Sequence, residues 1–582
     1  MPYPSIKNND FFKKINTKYK KYNVPKKGRT FNQICFPKEY QLQLPQQFLG
    51  KYINPNTPYK GVLVFHRIGA GKTCTAVNIG EQWKHHRKIV VVTPASLKGN
   101  FRNELRSPCA GNAYLKSSER KKLDVLHPSS DEYKNIIDES DKRIDKYYQI
   151  YSYNKFVELV LDDNLSLHNS ILIIDEVQNM VSEFGIFYDT LYRAIHDAPS
   201  SLRIVLLSAT PMFDKPIEIA LTMNLLRIPF EFPTGREFDK MFIKTKKRRN
   251  GKISYKAQNM DIFKERIKGY VSYFRGAPPY AFPESNVRYV KCKMSNFQYR
   301  SYLTVQSSED KDKKMKKIKE KRKLFEEGDI LNLPNNFFIG TRMISNVAFP
   351  NKNINEDGYD SFTGSCLSLK NLERYSPKFY KIIRKINRCS GTVFVYSNFK
   401  EYGGLRSFIR VLEAQGYKSY IDNGEGRRRY AIWSGDEKND IKEEIKAVFN
   451  QPLNSDGSRL KVMLGSPSSK EGISFYNVQQ VHILEPYWNF SRMKQIIGRA
   501  VRYCSHKIMP EEKRSVKVYI YLAVHPQEKE TIDQYIMNLA LRKNRLIDEF
   551  EQALKESAVD CTLFKHANVY KKEGEEDIEC EV

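Results

Sequence analysis

The sequence is poorest in the signatures of secretion, membrane insertion and zinc binding. Its nine cysteines, Cys35, Cys74, Cys109, Cys292, Cys366, Cys389, Cys504, Cys561 and Cys580, form no CxxC pair. Scattered and odd in number, they predict neither a zinc site nor a disulfide framework, and hence a reducing compartment. The start, MPYPSIKNNDFFKKINTKYKKY, is polar and basic and lacks the apolar stretch of a signal peptide. No apolar run approaches the roughly 20 residues that a membrane helix needs, so the chain is expected to be soluble. No internal repeat of solenoid period is present. Negative charge is also scarce: 67 Asp and Glu stand against 97 Lys and Arg, a formal charge of +30. That excess predicts a polyanionic partner, because each phosphate neutralised by a cation releases counterions.

What the sequence has is length and alternation. Its 582 residues suffice for about three or four domains, and 40% of them are hydrophobic, enough for sizeable cores. Residues 1–40 read as a basic arm. From 41 to 245, short apolar runs alternate with amphipathic stretches: GVLVF (61–65), KIVVVTP (88–94), SILIID (170–175) and RIVLLSAT (203–210). Each predicts a buried parallel strand, and strands alternating with helices predict a doubly wound α/β lobe. Residues 246–375 read as an inserted, α-rich basic segment, with the charge run EDKDKKMKKIKEKRK (309–323) forming or flanking a solvated helix. A second α/β lobe is expected over 376–525, with strands in GTVFVYS, YAIWSG, LKVMLGS, VQQVHILEP and VKVYIYLAV. Residues 526–582 predict a helical tail with a disordered acidic end.

Chemistry concentrates in four places. HRIGAGKTC (66–74) follows the first strand, and a glycine-rich turn between strand and helix leaves N–H groups free to cradle phosphate. Gly69, Ala70 and Gly71 form the turn. Lys72 would reach the β- and γ-phosphates and the Thr73 hydroxyl would ligate Mg²⁺. His66 stands where the first glycine of GxxxxGK[ST] is expected. In SILIIDEVQNM (170–180) two acids end a strand: Asp175 to hold Mg²⁺, Glu176 to orient and deprotonate water. The alternative for this pair is a helix N-cap. In LLSATPM (206–212), Ser208 and Thr210 can couple the acidic strand to movement of the lobe. QIIGRAVRYCSH (495–506) places Gln495, Arg499 and Arg502 on one face of an expected helix, where guanidinium groups stabilise charge on a transferring phosphoryl group. The alternative is a basic face for a phosphate backbone. Gly472 in KEGISF is expected beside the nucleotide.

In this order the four elements resemble the superfamily-two helicases: GAGKT their Walker A motif, DEVQ their Walker B, SAT their coupling motif, QIIGRAVR their arginine motif. The resemblance implies two RecA-like lobes that take ATP and Mg²⁺, with Gln178 in the fourth Walker B position. It also implies that Gln46 or Gln47, in LPQQFLGKY, reads the base and that Thr93, in VVVTPASL, contacts nucleic acid. More narrowly, residues 42–525 resemble the transcription ATPases of large cytoplasmic DNA viruses. LVFHRIGAGKT, IKGYVSYFRG, CKMSNFQYRSYL and VYSNFKEYGGLRSFIRVLEAQGY look most like the small subunit of the poxvirus early transcription factor. EGISF, the WN of EPYWN and QIIGRAVRYCSH look equally like the viral nucleoside triphosphatase of termination. The first implies a DNA-stimulated ATPase in early initiation, with a larger promoter-reading subunit and a viral RNA polymerase as partners. The second implies a termination triphosphatase or RNA helicase. Either implies the virion and the host cytoplasm as its location.

Overall fold

Val-, Ile- and Leu-rich runs bounded by polar residues become buried strands, because a strand covered on both faces can leave few polar side chains inside. A computed structural model describes residues 3–26, 28–67, 69–123, 125–126, 130–183, 185–247, 253–311, 338–434, 439–467, 474–570 and 577–581. The chain divides into two compact units: residues 1–244, 255–281 and 546–582, and residues 245–254 and 282–545.

The first unit is built on a six-stranded sheet. Its strands are β1 (Gly61–His66), β2 (Lys88–Thr93), β3 (Tyr148–Ser152), β4 (Ser170–Ile174), β5 (Arg203–Ser208) and β6 (Val271–Phe274). All pairs are parallel, in the order β3-β2-β4-β5-β1-β6. Alternate residues serve two cores. Leu63, Phe65, Leu172, Ile174 and Leu206 point into one, and Val62, Val64, Ile171, Ile173 and Val205 into the other. That alternation is the period of two that a sheet buried on both faces requires. The P-loop follows β1 and the acid pair follows β4, with β5 between them, so both leave the carboxyl edge where ligands bind in open α/β sheets.

The second unit has a seven-stranded parallel sheet: β7 (Glu284–Lys293), β8 (Thr392–Tyr396), β9 (Lys418–Ser419), β10 (Arg429–Trp433), β11 (Val462–Gly465), β12 (Val478–Ile483) and β13 (Ser515–Val524). Its order is β9-β10-β11-β8-β12-β13-β7. Val393 and Val395 face one core, Phe394 and Tyr396 the other. The expected class, α/β with two RecA-like lobes, is the observed one.

The boundaries differ from those expected. The basic arm folds onto lobe one, since Phe11, Phe12, Ile15, Tyr19 and Tyr22 recur at helical spacing and are buried in its second core. The segment 246–375 is not one insertion: residues 255–281 supply β6 to lobe one, and residues from 282 supply β7 to lobe two. Most of the charge run 309–323 lies outside the described residues. The tail divides likewise, with Leu546, Ile547, Phe550 and Leu554 joining the first core of lobe one. Its acidic end is not wholly disordered: Ile578 is buried in that core and Lys264 pairs with Glu581 at 2.9 Å. The expectation of reduced cysteines fails as well. Cys74 bonds Cys109 and Cys561 bonds Cys580, their Cα atoms 5.8 and 5.6 Å apart. Separations of 35 and 19 residues give no motif, so only the fold shows which thiols meet. Among the described residues no helix is long and apolar enough to cross a membrane.

Candidate active site

The phosphate loop begins where β1 ends. Gly69 and Gly71 have φ of 82° and 68°, a left-handed backbone that a Cβ would strain. Ala70 is buried in the second core. At Gly71 a Cβ would also collide with the Gln46 side chain. The helix Lys72–Trp83 then starts with Lys72 and Thr73, both half-buried, in its first turn. Gln46 is 3% exposed, and its amide is committed at both ends. Its Oε1 accepts from the Gln43 N–H (2.8 Å) and its Nε2 donates to the Gly71 carbonyl (3.1 Å). Gln47 donates to the Leu42 carbonyl instead. Of the two candidate glutamines, the fold brings Gln46 to the P-loop.

His66, in the first P-loop position, is fully buried, and its Nε2 lies 2.9 Å from the Ser272 hydroxyl. Burial, then the charge of Lys72, pushes its pKa down to about 3, so it is a neutral strut beneath the loop. Ser272 in turn donates to the buried Asp560 carboxyl.

The acid pair sits one strand away from β1's neighbour β5. The Asp175 N–H donates to the Val92 carbonyl (2.8 Å), extending β4 by one residue. The backbone then turns left-handed at Glu176, φ 50° and ψ 48°. This costs an L-residue roughly 1–2 kcal/mol and turns the two adjacent acids out of strand alternation. Lys72 Nζ donates to Glu176 Oε1 at 2.8 Å. Gln178 Nε2 donates to Glu176 Oε2 at 2.6 Å, and Ser208 donates to Gln178 Oε1 at 2.7 Å. The Ser208 hydroxyl also accepts the Thr210 N–H at 3.0 Å. Lys72, Glu176, Gln178, Ser208 and Thr210 thus form one connected chain across three strand ends.

Asp175 is 6% exposed, and its Oδ1 accepts the Glu176 N–H. Burial, then the Glu176 charge, raises its pKa to about 6, against the pull of Lys72. A carboxyl so desolvated beside a second acid gains most from a cation, and with the Thr73 hydroxyl it offers the hard oxygen ligands that Mg²⁺ prefers. Thr73 and Asp175 are thus the residues that would hold Mg²⁺, which would there supply charge neutralisation to a bound nucleotide's phosphates.

Tyr153 escaped the sequence reading. It follows β3, is buried, and donates its hydroxyl to the carbonyls of both Asp175 (2.6 Å) and Glu176 (2.9 Å). Its only signal was a tyrosine just past the end of a strand. Arg67, next to the P-loop, was also missed; it pairs with Glu551 at 3.0 Å. Thr93 needs correction. It is fully buried at the end of β2, and its hydroxyl lies in the interior, away from any strand in solvent.

In lobe two the helix expected to carry the arginines ends early. It spans Phe490–Ile497, with Gln495 half-buried on it. Beyond it the chain continues as turns, with the Ala500 and Val501 N–H groups donating to the Ile497 carbonyl (3.0 and 2.9 Å), and the Arg499 carbonyl accepts the Phe475 N–H at 2.9 Å. Arg499 lies in that turn and Arg502 in irregular backbone beyond it, so neither is on the expected helix. Arg502 Nε donates to the Ser474 hydroxyl at 2.8 Å. Gly472 lies outside the described residues.

The chain matches two family models, the SNF2-related domain over residues 32–337 and the helicase conserved C-terminal domain over residues 378–504. The first covers more than half of the chain and the P-loop and acid pair with it. This protein belongs to the superfamily-two helicases. It is therefore an ATP-hydrolysing enzyme of the helicase type, with nucleic acid as its implied ligand. It is 56% identical, over 100% of its length and 99% of the relative's, to a putative ATP-dependent RNA helicase of Acanthamoeba polyphaga mimivirus. It is 28% identical to a putative helicase of Invertebrate iridescent virus 3, covering 92% of this chain and 56% of that one. A termination factor NPH-I homologue of African swine fever virus is 26% identical, with 87% and 76% covered. The Pyrococcus furiosus Hef helicase domain aligns with a TM-score of 0.41 at 14% identity, over 82% of this chain and 94% of that one.

Proposed function

We propose that this helicase-family enzyme is a nucleic-acid-stimulated ATPase of viral transcription. In this reading Lys72 and the 69–71 backbone grip the β- and γ-phosphates. Thr73 and Asp175 hold Mg²⁺, Glu176 activates water, and Gln46 borders the base. Arg499, Arg502 and Gln495 serve the γ-phosphate from lobe two. Ser208 and Thr210 transmit the nucleotide's state through Gln178. The reading is supported above all by the continuous contact chain from Lys72 through Glu176 and Gln178 to Ser208. It ties a phosphate-binding cation, a candidate base and a strand end into one unit.

Two roles in transcription share those residues. Early initiation, with a larger promoter-reading subunit, a viral RNA polymerase and residence in the virion, has the support of the resemblances in the sequence. The relatives' names speak of RNA helicases and of a termination factor, and we therefore favour the termination or RNA-directed role. The deciding experiment measures ATP hydrolysis with single-stranded DNA, duplex DNA and RNA, with unwinding of a labelled duplex in parallel. Stimulation should fade steeply between about 50 and 200 mM salt, as phosphate contacts demand. RNA stimulation is the expected outcome. Stimulation by DNA alone, with no RNA response, returns the protein to initiation. Hydrolysis indifferent to every nucleic acid refutes both.

A further inference from the structure

The N-terminal arm does more than cover a core. Its helix Phe11–Lys18 buries Phe11, Phe12 and Ile15 in lobe one, and the Tyr19 hydroxyl donates to the Lys51 carbonyl at 3.3 Å. Beside the arm docked in this way lies an open cavity of about 530 Å³ against lobe one. Lys18 and Lys21 of the arm face Lys51 and His86 of the lobe around it, and none of the described residues lining it is an acid.

Lys21 and Lys51 are met by neutral groups. Lys21 Nζ lies 5.0 Å from the centre of the Tyr22 ring. Lys51 Nζ donates to Gln82 Oε1 at 3.4 Å, an oxygen that also accepts from Asn54 Nδ2 at 3.3 Å. Rings and amides hold a cation in place without cancelling its charge. A concave wall of one sign focuses potential and draws in an anion. The volume falls in the usual range for small-molecule sites, about 300–1,000 Å³. Tyr3, 37% exposed, adds an aromatic face beside the lysines.

The cavity is separate from the hydrolytic centre. Gln82 lies in the last turn of the helix Lys72–Trp83, whose first turn carries Lys72 and Thr73. Twelve residues at 1.5 Å each place the two ends about 17 Å apart.

We propose that this cavity is a second, non-hydrolytic site for a nucleotide phosphate, presented by a free nucleoside phosphate or by the phosphorylated end of a strand. The full chain carrying Lys72→Ala, which weakens the hydrolytic grip, is titrated with guanosine monophosphate. A short oligonucleotide with a 5′-phosphate, the same oligonucleotide with a 5′-hydroxyl, and a polyglutamate peptide are titrated in the same way at fixed salt. The proposal expects one equivalent of a phosphate probe to bind. It also expects Lys21→Glu with Lys51→Glu to weaken that binding tenfold or more, and the milder Lys21→Gln with Lys51→Gln to weaken it severalfold. In the otherwise native chain both pairs should leave basal ATP hydrolysis and melting temperature unchanged. Binding of the monophosphate identifies a free nucleotide as the source. A preference for the 5′-phosphate over the 5′-hydroxyl strand, without monophosphate binding, identifies a strand end. The proposal is overturned if no phosphate probe binds, if neither pair of substitutions alters binding, or if only the acidic peptide binds.

Discussion

Removing one hydroxyl, in Tyr153→Phe, tests whether the acid turn is held from behind. In the native chain that hydroxyl sits 2.6 Å from the Asp175 carbonyl and 2.9 Å from that of Glu176. The turn it braces contains a glutamate in the left-handed region, a conformation that costs roughly 1–2 kcal/mol. Phenylalanine keeps the ring packing and removes only the donor. Leaving a buried acceptor unsatisfied costs about 1–3 kcal/mol, comparable with the strain being restrained. If the turn relaxes by that amount, the carboxylate of Glu176 leaves its catalytic orientation for most of the time. At about 1.4 kcal/mol per tenfold, the turnover number should fall about 5- to 100-fold. The KM for ATP should change little, because Lys72 and the glycine turn are untouched. Steady-state phosphate release with saturating nucleic acid reads both constants, and a melting curve reads global stability. Turnover within twofold of native would refute the brace. An equal loss in kcat and nucleotide affinity would place the damage in the P-loop instead.

Lys72→Ala should abolish hydrolysis and weaken nucleotide binding, which phosphate release and a fluorescent-nucleotide titration read together; near-native turnover removes the phosphate-grip assignment. Glu176→Gln should keep binding while hydrolysis falls about 10²-fold or more, the scale of a lost general base. Arg499→Ala or Arg502→Ala should lower turnover by about 10³-fold at nearly constant nucleotide affinity; normal hydrolysis with lost nucleic-acid binding would make these arginines backbone contacts. Asp560 is fully buried, and burial raises its carboxyl from an ordinary 3.8 to about 7. Between those values the folded chain holds a proton that the unfolded chain has released, so stability falls as pH rises from about 4 to about 7. Asp560→Asn cannot ionise and should melt higher than the native chain at pH 8, by up to ~4 kcal/mol in stability, with the gap narrowing as pH falls and closing by about pH 4; a pH-independent difference would refute the linkage.

The strands that the sequence revealed are those where apolar runs meet burial on both faces, such as GVLVF and SILII. Those it concealed obey other rules. β3, YQIYS, mixes tyrosine with polar residues at one edge of its sheet, and β7, ESNVRYVKCK, is an edge strand exposed along most of its length. Neither needs an apolar run, so neither shows one. The candidate site's residue types were legible because phosphate binding demands glycine, lysine and a hydroxyl at fixed spacing. Their supports were not, because Tyr153, Ser272 and Asp560 act through positions that only the folded sheet brings together. The arginine segment departs from the expected helix locally: the helix ends at Ile497, and Arg499 and Arg502 follow in turn and irregular backbone. The arm at 1–40 was read by its charge, although Phe11, Ile15, Tyr19 and Tyr22 already carried a helical stripe.

The contact chain also limits how hydrolysis can be switched. Lys72 carries one positive charge, and in this structure Glu176 takes it at 2.8 Å. A γ-phosphate in the P-loop offers a denser negative charge to the same ammonium. As Lys72 turns toward it, Glu176 would lose that ion pair while the hydrogen bond from Gln178 stays in place. A carboxylate without a cation is a stronger base, so under the proposed roles the motion of Lys72 toward phosphate would also ready Glu176 to activate water. Gln178 is a tether on Glu176, and its other end is fixed to Ser208 at the end of β5. A pull on β5 would move Gln178 and withdraw or restore that tether. In the proposed mechanism β5 is therefore a route by which a nucleic-acid-driven shift would reach Glu176, through Ser208 and Gln178.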